Sequence, residues 1–306
     1  MTKYPLKLVP QVRTALWGRE LWLVSAHPTQ PSVVANGPYA GRTLPELTAA
    51  CGKELVGTKA AEGKGFPLLV KVIEAKDRLS LQVHPGETTV QLCGGEPKTE
   101  MWYVLGGEPG AGIFAGLKEG VGKDALIRSL HDGTAEDTVV RFEAHRGDVL
   151  FIPGGLVHAI GGGCRLYEVQ QTSDTTWRLH DWNRVDPKTG QPRPLHEREA
   201  LAAIDWSLPP PRLLHGFPSA DAGSPRGPLV DCAHFRFSAL PVSAPVTLPA
   251  DEGSFRILFA EEGDCSVAVA GSDPVPLAAG ECVLIPANVA VSCVPQATVR
   301  ILMSWL

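Results

Sequence analysis

The chain has 306 residues, 44% of them hydrophobic and 20% charged, which is enough apolar sequence for one large core or two smaller ones. A formal net charge of −5 argues against a nucleic-acid surface, and no apolar run approaches the length that crosses a bilayer. The 32 glycines and 27 prolines, with few long helical patterns, point to an all-β architecture rich in turns.

The seven cysteines (Cys51, Cys93, Cys164, Cys232, Cys265, Cys282 and Cys293) are odd in number and scattered, and none forms a CxxC pair. That pattern suggests neither a disulfide framework nor a thiolate zinc cluster, and it fits a reducing compartment. Met1–Pro10 lacks the apolar run of a signal peptide, so the expected location is the cytoplasm.

Short strand-like pieces occupy residues 12–36, with Leu21–Trp22–Leu23–Val24 the clearest. Thr43–Leu44–Pro45–Glu46 has the form of a capping box, and Leu44, Leu47, Ala50 and Leu55 predict a helix to about Leu55. The apolar run Phe66–Ile73 reads as a buried strand. Residues 118–131 read as a helix with Gly133 as its stop. Strands return at Thr138–Glu143, Asp148–Pro153, Arg165–Gln171 and Thr175–Asp181, and Leu195–Ile204 reads as a short helix. Residues 208–228 are rich in Pro, Gly and Ser, and Phe235–Leu306 is strand-like throughout.

Leu79–Ser80–Leu81–Gln82–Val83–His84 alternates strictly between apolar and polar residues. As a strand it places Ser80, Gln82 and His84 on one face and Leu79, Leu81 and Val83 on the other. Gln82 and His84 would lie about 7 Å apart, near enough to converge on one ion. The pattern alone fits either a metal site or a solvated strand face. A second alternation puts Lys98, Glu100 and Trp102 on one face and Met101 and Tyr103 on the other.

The chain also contains an internal repeat. Gly147-Asp-Val-Leu-Phe-Ile-Pro-Gly-Gly155-Leu-Val-His158 resembles Gly280-Glu-Cys-Val-Leu-Ile-Pro-Ala-Asn288-Val-Ala-Val291. Two copies of one β-unit are implied, the second with Val291 in place of His158.

The spacing Gly147-x5-Pro153-x-Gly155-x2-His158 is similar to the second motif of the cupin superfamily, whose fold is a small jelly-roll barrel. Together with Gln82-Val-His84-Pro, Lys98-Thr-Glu100 and Ser173-Asp-Thr-Thr-Trp-Arg178-Leu-His-Asp-Trp-Asn-Arg184, it resembles the type I mannose-6-phosphate isomerases in their compact bacterial form. The resemblance spans roughly residues 15–206. It implies a mainly β protein of two cupin-type jelly-roll barrels with a few short helices. Residues 1–207 would form the catalytic barrel, 208–230 a linker or long loop, and 231–306 a smaller barrel without a metal site. It also implies one zinc ion per chain, held by Gln82, His84, Glu100 and His158. Arg178, Glu168 and Lys98 would be catalytic, and Ser80, Lys98, Arg178 and Arg184 would bind the substrate.

Interconverting an aldose phosphate and a ketose phosphate moves a proton between C1 and C2 through an enediol. A Lewis-acid cation stabilises the developing negative oxygen, and His and Glu suit zinc. A general base is also needed, with Glu168, Lys98 and His180 as the candidates. Arginine and lysine suit the phosphate. The expected partner is a sugar phosphate, with neither nucleic acid nor membrane; the oligomeric state stays open. Two rival readings are an iron(II) oxygenase using two His and one Glu, and a non-catalytic sugar-phosphate sensor.

Overall fold

The computed structural model describes residues 1–214 and 227–306, so most of the expected 208–230 linker lies outside the described residues. The protein is mainly β, with five α-helices among the described residues. It divides into two compact units. One holds residues 1–11, 22–70 and 217–306; the other holds 12–21 and 71–216.

This division differs from the order expected along the chain. Strand Leu6–Val9 pairs antiparallel with Cys282–Ile285, in the register Leu6↔Leu284. The first residues therefore join the carboxy-terminal strands rather than the segment carrying the motifs. Local periodicity carries no information about so distant a pairing.

The capping box forms as expected. Thr43 N–H donates to Glu46 Oε2 at 2.8 Å, and Thr43 Oγ1 accepts from the Glu46 amide. The helix it opens, Leu44–Cys51, stops at Gly52, and a separate turn, Lys53–Val56, follows. Gly52 has φ 49, and a left-handed residue of this kind interrupts a helix without steric cost only if it is glycine. The fourth helix runs over Lys123–Asp132 and ends on Gly133, and the fifth over Glu197–Ala203.

The unit containing 71–216 is built on two antiparallel sheets. One has the order Trp177–His180, Leu81–Val83, His158–Ile160, Gly112–Leu117, Val139–Glu143. The other runs Val149–Ile152, Glu100–Gly107, Cys164–Gln171, Leu68–Ala75, Gly18–Val24, Gln11–Ala15. Leu81 and Val83 pack with Leu126 and Leu130 of one helix and Ala200 and Ala203 of another, so that face of their strand is covered by helices. A second cluster joins Trp102, Ile113, Ala115, Leu150, Ile152 and Leu156. Leu79 belongs to this second cluster and not to the first, because the strand begins only at Leu81.

The repeat is reproduced in local structure. Gly147–His158 contains strand Val149–Ile152 and reaches the strand opening at His158; Gly280–Val291 contains Cys282–Ile285 and reaches the strand opening at Val291. Gly155 has φ 93 and Asn288 has φ 57. Asparagine tolerates the left-handed turn that glycine takes freely, which explains the exchange at this position.

Candidate metal centre

Antiparallel pairing sets three of the expected residues in one row. His158 lies opposite Gln82 on one side, and Arg178 lies opposite Gln82 on the other. Directly opposed residues share a sheet face, so all three project the same way. The helix-covered face belongs to Leu81 and Val83, which turns Gln82 and His84 inward rather than to water. In the other sheet, Glu100 stands opposite Ile152 and Gln170, on the face of Trp102.

The inward side chains converge. His84 Nε2 lies 3.2 Å from His158 Nε2, and each lies 3.5 Å from an oxygen of Glu100. All three residues are about 1% exposed. The Gln82 carboxamide nitrogen is 3.3 Å from His158 Nε2 and 3.5 Å from His84 Nε2. Ser80 Oγ donates to Gln82 Oε1 at 3.1 Å. Turning the amide by half a revolution exchanges its two ends: its oxygen then faces the imidazoles, and Ser80 accepts instead. Lys98 Nζ stands 2.9 Å from His84 Nε2 and 3.0 Å from Glu100 Oε2.

Both imidazoles are held in one tautomer. His84 Nδ1 donates to the Thr175 carbonyl at 2.8 Å, and His158 Nδ1 donates to the Leu156 carbonyl at 2.8 Å. Their Nε2 lone pairs therefore face the cluster, the arrangement in which histidine binds metals. Burial, reinforced by the Lys98 ammonium and by His158, pushes His84 well below the ordinary histidine value. Burial likewise brings His158 down to about 4. Both rings are neutral at pH 7, as ligation requires.

The residues fit a divalent ion. Ligands about 2.0–2.1 Å from a common centre are separated by about 3.0–3.4 Å, depending on the angle between them. The separations of 3.2 Å between the imidazole nitrogens and 3.5 Å from each to Glu100 lie within 0.1 Å of that range. Glu100 Oε2 is buried, with the Lys98 ammonium 3.0 Å away but no partner in hydrogen-bond geometry, so a lone pair remains for a cation.

A family model of the type I phosphomannose isomerase catalytic domain matches residues 6–101. Mannose-6-phosphate isomerase ManA of Bacillus subtilis (strain 168) is 32% identical over 305 residues, covering 94% of this chain and 94% of its own. The chain belongs to the type I phosphomannose isomerases. The mannose-6-phosphate isomerase of Streptococcus mutans serotype c is 36% identical over 223 residues, 67% of this chain and 69% of that relative. The crystal structure of the mannose 6-phosphate isomerase from Bacillus subtilis matches with a TM-score of 0.85 at 28% identity, over 99% of both chains.

In this member of the family, the remaining expected site residues part company. Arg178 is half-buried in the row beside Gln82. Its Nη1 donates to the Pro194 carbonyl at 2.7 Å, and its Nε has no hydrogen-bond partner. Burial, with Arg193 close by, lowers its pKa. Arg184 is not brought to the cluster. Its guanidinium bonds Asp77 Oδ2 at 3.0 Å, Asp181 Oδ1 at 2.6 Å and the Arg78 carbonyl. Arg193 grips the same Asp181 through Nε at 2.8 Å. His180 is paired opposite Leu81 after a bulge, on the helix-covered face, with its ring against Trp182. That orientation removes it from the acid/base candidates.

Glu168 lies next to the cluster. Trp102 Nε1 donates to its Oε2 at 2.7 Å, and Lys71 Nζ lies 3.1 Å from its Oε1. Burial, helped by Glu100, raises its pKa, while Lys71 pulls it down. The sequence reading missed Lys71. The signal was available: a single lysine inside the apolar run Leu68–Ala75, where a buried charge requires a partner.

Proposed function

We propose that this chain interconverts D-mannose 6-phosphate and D-fructose 6-phosphate through an enediol intermediate, with one zinc ion per chain. The observation that carries the reading is the convergence of His84, Glu100 and His158, in fixed tautomers, in a chain of this family. Gln82, His84, Glu100 and His158 would hold the ion. Two neutral imidazoles, one amide and one carboxylate leave it net positive, and a bound Lewis acid of that kind stabilises negative charge on a substrate oxygen.

The chain's own groups supply the rest. Glu168 is the carboxylate available for the proton moved between C1 and C2. Lys98, beside Glu100, presents N–H donors to the sugar oxygens. Arg178 carries an unpaired N–H into the row beside Gln82, and its planar fork suits a phosphate. Ser80 fixes the Gln82 amide. Arg184, bonded to Asp77 and Asp181, contributes by bracing the turn after Arg178. The two compact units are read as two barrels, of which the one holding residues 71–216 is catalytic. Family membership favours this reading over the oxygenase and the sensor. No helix among the described residues is long and apolar enough to cross a membrane, and all seven cysteines are free, both consistent with work in the cytoplasm.

The test is metal analysis together with a coupled isomerase assay on purified protein. The expected result is about one zinc per chain, with turnover lost on chelation and restored by zinc. Turnover that survives complete chelation would refute the metal role, and zinc without turnover would favour the sensor.

A further inference from the structure

Strand Trp177–His180 lies at the edge of its sheet, with Leu81–Val83 as its neighbour there. Arg178 stands opposite Gln82, and the register shifts between Arg178 and His180. A bulge disrupts the ladder locally, so pairing with the neighbouring strand fixes Arg178 only weakly. The remaining bonds to Arg178 come from Pro194 and His196. The Arg178 N–H donates to His196 Nδ1 at 3.2 Å, and the Arg178 carbonyl accepts from the His196 N–H at 2.8 Å. Arg178 Nη1 donates to the Pro194 carbonyl at 2.7 Å.

One residue, His196, therefore meets both main-chain groups of Arg178. Its N–H is a donor that any residue but proline supplies. Its ring acceptor is different, because few side chains place one at that point. Water can satisfy the N–H of an edge strand, so what the ring adds is a fixed position. The holder is itself held. The His196 carbonyl accepts from the Ala200 N–H at 2.8 Å as helix Glu197–Ala203 begins, and Ala200 and Ala203 pack with Leu81 and Val83. The His196 ring meets Trp177 edge-on, with centroids 5.4 Å apart. On the other side, Arg193 grips Asp181 through Nε at 2.8 Å. Burial, with the Arg178 guanidinium next, lowers the His196 pKa, which keeps Nδ1 an acceptor at pH 7.

We propose that His196 is a positioning residue for the isomerase site: its Nδ1 and N–H clamp the Arg178 main chain beside the bulge, and thereby hold the guanidinium in the row with Gln82 and His158. The proposal rests on the isomerase reading, in which Arg178 takes the substrate phosphate. His196 acts through Arg178 and needs no contact with the substrate or the metal cluster. A planar fork binds a phosphate only when it is correctly placed, so loosening the clamp weakens substrate binding first.

The experiment uses full-length, zinc-loaded wild type, His196→Phe and His196→Asn, measured for kcat, KM for mannose 6-phosphate, zinc content and amide hydrogen exchange at Arg178. Phenylalanine keeps a ring against Trp177 and has no acceptor; asparagine gives up the ring and keeps an acceptor oxygen one bond beyond Cγ, where Nδ1 stood. Wild-type turnover is read first. Its absence overturns the isomerase reading, and exchange at Arg178 then still tests the clamp. His196→Phe is expected to raise KM about threefold to tenfold, the range of one neutral hydrogen bond, with kcat changed less and zinc content unchanged. The Arg178 amide should exchange faster in the same variant. His196→Asn is expected to bring both readouts back toward wild type, whereas a role in packing alone predicts the reverse order. An unchanged KM in His196→Phe overturns the proposal, as does a His196→Asn variant as impaired as His196→Phe, or a loss that merely follows zinc content. If His196→Phe does not fold, His196→Ala takes its place: a raised KM supports the clamp, and a wild-type KM overturns it.

Discussion

Glu100→Gln is the sharpest perturbation of the candidate metal centre, because it keeps the shape of the side chain and removes one charge. Glu100 is the only carboxylate in the cluster, is 1% exposed, and faces both Nε2 atoms at 3.5 Å. Its charge already holds a neighbouring cation: Lys98 Nζ lies 3.0 Å from Oε2, a contact worth about 5–6 kcal/mol at an effective dielectric of ~20 before desolvation. Measured losses on removing one partner of a buried charge pair are about 3–5 kcal/mol. A divalent ion between the two imidazoles meets the same missing charge. With tenfold in affinity for about every 1.4 kcal/mol, zinc binding in Glu100→Gln is expected to weaken roughly 100- to 5,000-fold. The assay is competition against a chromophoric chelator of known affinity, with isomerase turnover followed in the same samples. Zinc affinity within tenfold of wild type would refute the reasoning, because Glu100 would then not be a ligand.

Arg178→Lys keeps the charge but loses the planar fork; KM for mannose 6-phosphate is expected to rise about tenfold with zinc content unchanged, and an unchanged KM would remove Arg178 from phosphate binding. Trp102→Phe deletes the N–H that reaches Glu168 Oε2 and leaves a buried carboxylate oxygen without its donor, so urea unfolding should show a loss of about 1–3 kcal/mol. Thr43→Ala opens the capping box of helix Leu44–Cys51 and is expected to cost about 1 kcal/mol in the same measurement, with turnover unaffected.

Much of the site was legible because strand periodicity and cross-strand pairing act locally. The alternation around Gln82 and His84 set their common face, and the motif spacing placed His158 opposite Gln82. The failures have specific causes. Leu79 does not share the face of Leu81 and Val83 that the alternation predicts, because the strand begins only at Leu81. Arg184 was placed in the pocket by motif position. Trp182 and Asn183 both take positive φ, 58 and 54, and the turn they make folds Arg184 back onto Asp181. Lys71 is hidden for a different reason. A lone charge in a buried strand shows no period, and its partners lie on strands distant in sequence.

The two copies of the β-unit differ at the positions where the first brings candidate metal ligands together. Ile152 stands at the same place in the first copy as Ile285 in the second, and their strand partners are Glu100 and Arg256. Val291 stands in the place of His158. The second copy has thus exchanged a carboxylate for a guanidinium and an imidazole for an alkyl group, so its electrostatics repel a cation. Arg256 is 9% exposed, and its guanidinium donates to the Pro249 carbonyl at 2.6 Å and the Val289 carbonyl at 3.4 Å. In the first copy the corresponding side chains, Glu100 and His158, are both of metal-ligating type and face each other at 3.5 Å. In the second, a fixed organic cation bonds two loop carbonyls directly. On the same strand geometry, two side chains separate a cluster of metal-ligating type from a buried guanidinium.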